Sequence, residues 1–284
     1  MKKRFHIFSQ GDNVLFRDNN DYSYFCNRFG MLSIGFHMNP LMVVTMSTHF
    51  HAIVEPSDTD DIAGFLKALK RLYRIHYARK YSPGIPIKFE TSVREILDYE
   101  MYYAEMLYGA KNPVHHYVCN FPLSYRYSSI SYLFSNCFMP DFDFAETRKN
   151  LTRFSDLSAR QQKEVASNTY IPDDWRIDDN GLISFDSYIK TNRARALWDD
   201  NVKVFLYDMN KNPKDAAGNL INSDVQDLRC SRLDDIRVCK IIDSYTEEIG
   251  ARSFHHIKDK YPIIRKLEMK GIPNSQIRRC LWID

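Results

Sequence analysis

The chain has 284 residues, 44% of them hydrophobic and 14% aromatic, which is enough to build a real core and excludes a disordered chain. Mean hydropathy is −0.45 and no apolar run is long enough to cross a bilayer, while the basic start MKKRFHIFSQGDN lacks the apolar stretch and small-residue cleavage site of a signal peptide, so a cytoplasmic protein with no membrane partner is expected. The net charge of +3 does not by itself predict nucleic-acid binding; the clustering of the basic residues says more.

RFHIFSQGDN alternates apolar and polar residues, which predicts a strand ending near Ser9 and a loop over Gly11 to Asn13. In DNNDYSYFCNRFGML, Asp18 to Asp21 offer N-caps, and Tyr22, Phe25, Phe29 and Leu32 recur at helical spacing. Pro40 cannot join an inner ladder, so a strand pair should break near it, and the β-branched run Met42 to Glu55 reads as strand closed by Pro56. DTDDIAGFLKALKRLYRIHYARKY predicts a second helix with aspartates at its N-terminus, an apolar face and a basic remainder. SPGIPIKFE reads as a loop entering a short strand, and SVREILDYEMYYAEMLYGAKNP as a third helix ending at Asn112 before Pro113. FPLSYRYSSISYLF reads as an aromatic, mostly irregular close to this unit, with a loose boundary near 138 to 150. The order strand, helix, strand, strand, helix, strand, helix points to an α+β sandwich with helices on one face of a mostly antiparallel sheet.

None of the six cysteines forms a C-x-x-C pair, which disfavours a zinc ribbon or finger. The more informative stretch is VVTMSTHFHAIVE. Residues i and i+2 of a strand share a face, so His49 and His51 project together, and two neutral imidazoles can share a divalent metal. The plain alternative is a polar strand face with two unrelated histidines. On the third helix, Tyr108 and Asn112 lie four residues apart and stack on one face. A phenol can attack phosphorus and an amide oxygen can ligate a hard metal. Equally, Tyr108 could pack the core and Asn112 cap the helix, and spacing alone does not select Tyr108 over Tyr99, Tyr102 or Tyr103.

Taken in order, four segments resemble the single-tyrosine transposases of the histidine–hydrophobe–histidine (HUH) superfamily, especially the REP-associated tyrosine transposases. FHIFSQGDNVLFRDNNDYSYF is similar to that family's opening strand, turn and entry to the first helix; MSTHFHAIV to its metal-binding strand; LYGAKNPV to its nucleophile helix; and LSYRYSSISYL to its closing element. The resemblance covers about residues 4 to 134. It departs at Gln10, where relatives often carry arginine, at Tyr127, which replaces a tryptophan, and at Lys111, which replaces an apolar residue.

The resemblance implies a ferredoxin-like HUH nuclease domain over residues 1–140, and a mainly helical region over 141–284. It implies that His49, His51 and Asn112 hold Mg²⁺ or Mn²⁺ and that Tyr108 is the nucleophile. The activity implied is cleavage and rejoining of hairpin-containing single-stranded DNA through a 5′-phosphotyrosine, by a homodimer or a monomer. No G-x-x-x-x-G-K occurs, consistent with chemistry that conserves bond energy on tyrosine and needs no ATP.

DNA binding would need a basic groove with stacking surfaces. Lys67, Lys70, Arg71 and Arg74 on the second helix and Arg126 in the closing segment are candidates, although the helix taken alone reads more readily as an ordinary solvated basic face. In the second half, RLDDIRVCKIIDSYTEEIG predicts an amphipathic helix, while NGLISFDSYI and NVKVFLYDMN fit strand or helix. YPIIRKLEMKGIPNSQIRRCLWI predicts helix, turn at Gly271 to Pro273, and a last helix capped by Ser275. Arg278 and Arg279 there could make a DNA-binding helix-turn-helix, or the segment could be a bundle packed on the first half. Two rival functions remain: a DNA-hairpin-binding protein that no longer cuts, and a zinc hydrolase using Glu55 to activate water.

Overall fold

The computed structural model describes residues 2–81, 87–135, 150–167, 169–211 and 233–283. Its first half runs β1 (Arg4–Gln10), α1 (Asn19–Gly35), β2 (Met38–Thr45), β3 (Phe50–Pro56), α2 (Asp61–Lys80), β4 (Glu90–Ile96) and α3 (Tyr99–His115). The four strands form an antiparallel sheet in the order β2-β3-β1-β4. The chain is thus α+β, as its element order predicts.

Strand alternation divides the sheet into two faces. Phe5, Ile7, Phe50 and Ala52 point to the face covered by α1 and α2, where Phe25 meets Phe50 at 4.9 Å between ring centroids and Phe29 meets Phe65 at 5.1 Å. Each such buried ring contributes roughly 2–3 kcal/mol of transfer free energy. His6, Phe8, Met42 and His51 point to the opposite face, which α3 covers. The expectation of helices on one face is therefore corrected. α3 is amphipathic like the other two helices, but the connection from edge strand β4 carries it to the other side. It sits close because Gly109 has no side chain: a Cβ there would meet the Met42 thioether and lie 3.7 Å from His51 Cβ.

Three boundaries differ from the sequence expectation. The strand pair breaks at Met46–His49 and not at Pro40. Pro40 is accommodated on the outer strand β2, where a register shift between Pro40 and Met42 relieves its missing N–H. SVREI belongs to β4, paired along the whole of β1, and α3 starts after Asp98, whose side chain accepts from Met101 N at 2.7 Å. Pro113 lies inside the last turn of α3, which continues to His115. So near the end, its missing N–H costs only one ladder bond, and its carbonyl accepts from Val118 N at 2.9 Å.

The closing segment and a second-half segment together seal the outer strand: Thr45 N donates to Tyr127 O at 2.9 Å, Val43 N to Ser129 Oγ at 2.9 Å, and Lys190 N to Pro40 O at 2.8 Å. This covers the exposed edge that β2 would otherwise present.

The second half carries a small ladder of β5 (Thr152–Arg153) and β6 (Arg176–Ile177), with helices α4 (Ala159–Ala166), α5 (Thr191–Arg195), α6 (Val202–Asn210), α7 (Asp235–Glu248), α8 (Tyr261–Glu268) and α9 (Asn274–Leu281). The anticipated boundary near 138 to 150 falls almost wholly outside the described residues. Second-half segments pack directly on the first. Asn27 binds Gly181 O at 2.7 Å and Ile183 N at 2.8 Å. Buried Arg17 donates to Cys280 O at 2.7 Å and to Asp243 at 2.9 Å. α9 begins after Pro273 without a side-chain cap, so Ser275 is not its N-cap. Among the described residues, no helix is long and apolar enough to cross a membrane.

Candidate metal and tyrosine site

His51 lies in β3, and His49 lies one residue before it, in the turn Met46–His49. The two rings still converge, with centroids 5.1 Å apart and planes nearly perpendicular. His49 is held at both nitrogens: Nδ1 lies 2.8 Å from Thr48 Oγ1 and Nε2 lies 2.9 Å from Asn112 Oδ1. His51 Nδ1 lies 3.1 Å from His6 Nε2, while its Nε2 is buried with no hydrogen-bond partner among the described residues.

α3 supplies the facing groups. Glu105, Tyr108 and Asn112 recur at i, i+3 and i+7, which places them on one side of the helix. The Tyr108 ring stands edge-on to His51, with centroids 5.2 Å apart. Tyr99, Tyr102 and Tyr103 are used elsewhere: Tyr99 donates to Leu197 O at 2.9 Å, Tyr103 to Asp208 Oδ2 at 2.5 Å, and buried Tyr102 lies under the Arg4 guanidinium. The packing thus brings together the four residues His49, His51, Tyr108 and Asn112, and separates Tyr108 from its neighbours in sequence.

Burial sets the protonation of the site. It pushes the His49 imidazole down to about 4, with the adjacent His116 ring adding to the effect and the Asn112 hydrogen bond opposing it. It also holds His51 well below the usual histidine range, with help from His49, His6 and His116. Both imidazoles are therefore neutral at pH 7, the form a metal requires. Burial raises the Tyr108 phenol above its ordinary value and the Glu105 carboxylate raises it further, so the resting phenol keeps its proton.

Two features bear on whether a divalent ion fits. In favour, the buried Nε2 of His51 has no hydrogen-bond partner among the described residues, and buried polar atoms are rarely left so. Two imidazole nitrogens and an amide oxygen form a neutral donor set, and a bound phosphate would complete it. Against a closed structural site, no group of three or more His, Cys, Asp or Glu residues among the described residues could hold a metal. The set fits an open, substrate-completed site and not a structural one.

The basic candidates are scattered. Lys67, Lys70, Arg71 and Arg74 ride on α2, across the sheet from the histidines. Arg126 is paired with Asp178. Arg279 makes a forked ion pair with Asp235, through Nε at 3.1 Å and Nη2 at 3.0 Å. Arg278 is exposed and enters no ion pair among the described residues. Glu55, the base required by a zinc hydrolase, is almost fully buried between Arg4 at 2.9 Å and Arg193, which removes it from that role.

The sequence reading missed His6 and Glu105. The signal was present in the alternation of FHIFSQ, which puts His6 on the same face as Phe8, and in the i, i+3 spacing of Glu105 and Tyr108.

No family model matches the chain, and no curated protein matches it. A solved structure of a REP-associated tyrosine transposase bound to a REP hairpin matches 49% of this chain and 82% of that one, at 14% identity and a TM-score of 0.40. At that distance the likeness fixes neither the family nor the activity of the chain.

Proposed function

We propose that the chain is a metal-dependent DNA strand transferase of the HUH type, built on a ferredoxin-like sheet, that cuts and rejoins hairpin-containing single-stranded DNA through Tyr108. The observation that carries this reading is the meeting of the Tyr108 ring with His51, 5.2 Å between centroids, beside the His49–Asn112 pair. A phenol, two neutral imidazoles and an amide oxygen are the groups such chemistry needs, and they come from two elements distant in sequence.

His49, His51 and Asn112 would hold Mg²⁺ or Mn²⁺. When bound, the ion would supply Lewis-acid polarisation of the scissile phosphate. In the direct His49–Asn112 contact, Thr48 Oγ1 can donate to His49 Nδ1 while His49 Nε2–H donates to the Asn112 oxygen. Freeing Nε2 for a ligand role requires the proton to move to Nδ1, where Thr48 can accept it. Tyr108 Oη attacks phosphorus, a P–O bond to the phenol forms, and the bond to the 3′ oxygen breaks. The phenolic proton is transferred to the departing oxygen, giving a 5′-phosphotyrosine and a free 3′-hydroxyl. A second 3′-hydroxyl reverses the step. Because Tyr108 is protonated at rest, attack has to be coupled to loss of that proton.

Incubation with labelled hairpin-containing single-stranded DNA and Mn²⁺ tests the proposal. A protein–DNA adduct that survives denaturation and is lost in Tyr108→Phe supports it; no adduct from the wild-type chain overturns it.

One observation favours a second reading. His49 is already satisfied by Asn112, an arrangement stable without an ion. A hairpin-binding protein that does not cut would retain it. Such a protein would bind the hairpin equally with Mn²⁺ or with a chelator and give no adduct.

A further inference from the structure

Behind His51 runs a line of buried polar groups that the strand-transfer chemistry does not use. Glu105, His6 and His51 are each less than about a tenth exposed. Arg94 Nη1 holds Glu105 Oε1 at 2.8 Å. Glu105 Oε2 lies 2.7 Å from His6 Nδ1, at ion-pair distance though without the alignment of a good hydrogen bond. His6 Nε2 lies 3.1 Å from His51 Nδ1, and the His6 ring lies between Phe8, tilted against it at 5.0 Å, and His51 at 5.3 Å. The line ends at His51 Nε2, buried and unpartnered on the side of Tyr108 and His49.

We infer that Glu105 and His6 are positioning residues that fix the tautomer of His51, so that its Nδ1 carries the hydrogen and its Nε2 offers a bare lone pair to a divalent cation. The inference rests on the metal reading above for its purpose, and on the hydrogen-bond geometry for its chemistry. An ionised carboxylate only accepts, so the His6 nitrogen facing Glu105 carries a hydrogen. With that hydrogen on Nδ1 and none on Nε2, His6 presents a bare lone pair at Nε2. Among the described residues, the group placed to donate to it is His51 Nδ1. His51 has one hydrogen to give, and giving it there leaves Nε2 free. The other tautomer would set two lone pairs against each other at 3.1 Å and bury an N–H with no acceptor. Arg94 Nη1, 2.8 Å from Oε1, supplies the positive charge that faces the Glu105 carboxylate in this scheme. A carboxylate acting on a metal-binding imidazole through its far nitrogen is a known way of orienting that ligand. Here a second imidazole stands between the two.

The test uses the full, metal-free chain labelled with ¹⁵N at histidine, and long-range ¹H–¹⁵N correlation to read each ring. The expected wild-type spectrum has His51 protonated at Nδ1 and bare at Nε2. In Glu105→Gln the amide can donate to His6, so His51 should become a mixture of tautomers. Mn²⁺ affinity, read by titration calorimetry, should fall about 10-fold or more. His6→Gln keeps an acceptor facing His51 and should retain the tautomer, while His6→Leu should lose it. Circular dichroism melts show which variants are folded, and the isosteric Glu105→Gln carries the test if the His6 variants are not. A wild-type His51 protonated at Nε2, as a doubly protonated His6 would impose, overturns the inference. So do unchanged tautomer and Mn²⁺ affinity in a folded Glu105→Gln. The expected tautomer in a wild-type chain that does not bind Mn²⁺ overturns the metal reading and upholds the tautomer assignment.

Discussion

Asn112 Oδ1 sits 2.9 Å from His49 Nε2, joining the last turn of α3 to the turn that leads into β3. These residues are 63 positions apart, and their contact registers the helix against the sheet on the face where Tyr108 meets His51. If the amide oxygen is a ligand, Asn112→Ala should weaken Mn²⁺ binding by about 10-fold or more. Titration calorimetry on the wild type and the variant measures this, and equal affinities would remove Asn112 from the ligand set.

Tyr108 is half-buried, and its role should be chemical more than structural. Tyr108→Phe should leave stability within about 0.5 kcal/mol, because it removes only a hydroxyl that makes no hydrogen bond among the described residues. Urea unfolding curves of the two proteins give the difference; a loss of several kcal/mol would mark the hydroxyl as a structural anchor.

Gly109 permits the close approach of α3 to the sheet. Gly109→Ala should displace the Met42 thioether at a cost of about 1–3 kcal/mol, the range for overpacking. Gly109→Val should push the helix outward and separate Tyr108 from His51. The first effect is read by thermal melts, the second by loss of any Mn²⁺-dependent adduct in a chain that still folds.

Asp21 supplies a pH-dependent part of the stability. It is fully buried and is reached by His76 at 2.8 Å, Lys80 at 2.9 Å and Tyr81 at 2.7 Å. Burial alone would raise its carboxyl, but the His76, Lys80 and Tyr81 contacts outweigh it and hold the group below the ordinary aspartate value. A depressed folded value means the stabilisation is complete above the unfolded value of about 4 and disappears as pH falls through the lower folded one. Asp21→Ala should therefore cost about 3 kcal/mol at pH 7, with the gap to wild type closing under strong acid. Denaturant titrations at pH 7 and near pH 3 test the sign.

Arg278 and Arg279 should separate cleanly. Arg279 is forked onto Asp235, which also accepts from Ser47 at 2.6 Å in the turn that carries His49. Arg279→Ala should lower stability by about 1–3 kcal/mol, because it leaves a mostly buried carboxylate with only neutral donors, such as Ser47 and Gln276, among the described residues. Arg278→Ala should leave stability unchanged and, if this helix touches DNA, reduce the slope of log affinity against log salt by about one.

The sequence made legible those elements whose signals are local. α1 begins where Asp18 promises a cap and α2 follows its apolar face, whereas His49, expected on the strand with His51, meets it from the turn before β3. What was not legible depends on the layer a segment joins. SVREI has enough helical character to extend α3, but pairing with β1 takes it into the sheet. The side of the sheet occupied by α3 is set by the β4 connection, which no periodicity records. Lys67, Lys70, Arg71 and Arg74 suggest a DNA groove only while that side is unknown; α2 lies on the face away from the histidines. Arg126 and Arg279 read as free cations until their partners Asp178 and Asp235 arrive from distant segments. His6 and Glu105 escaped notice because one histidine on a strand and one glutamate on a helix carry no signal until β1, β3 and α3 are stacked.

The central claim is that Tyr108 becomes joined to DNA at the His49–His51 site. The most direct measurement is mass spectrometry of tryptic peptides after the chain has reacted with a hairpin-bearing single strand and Mn²⁺. The account predicts a nucleotide mass on the peptide containing Tyr108, absent when the ion is chelated and absent in His51→Ala. A modified tyrosine elsewhere, or cleavage with no modified peptide, would contradict it.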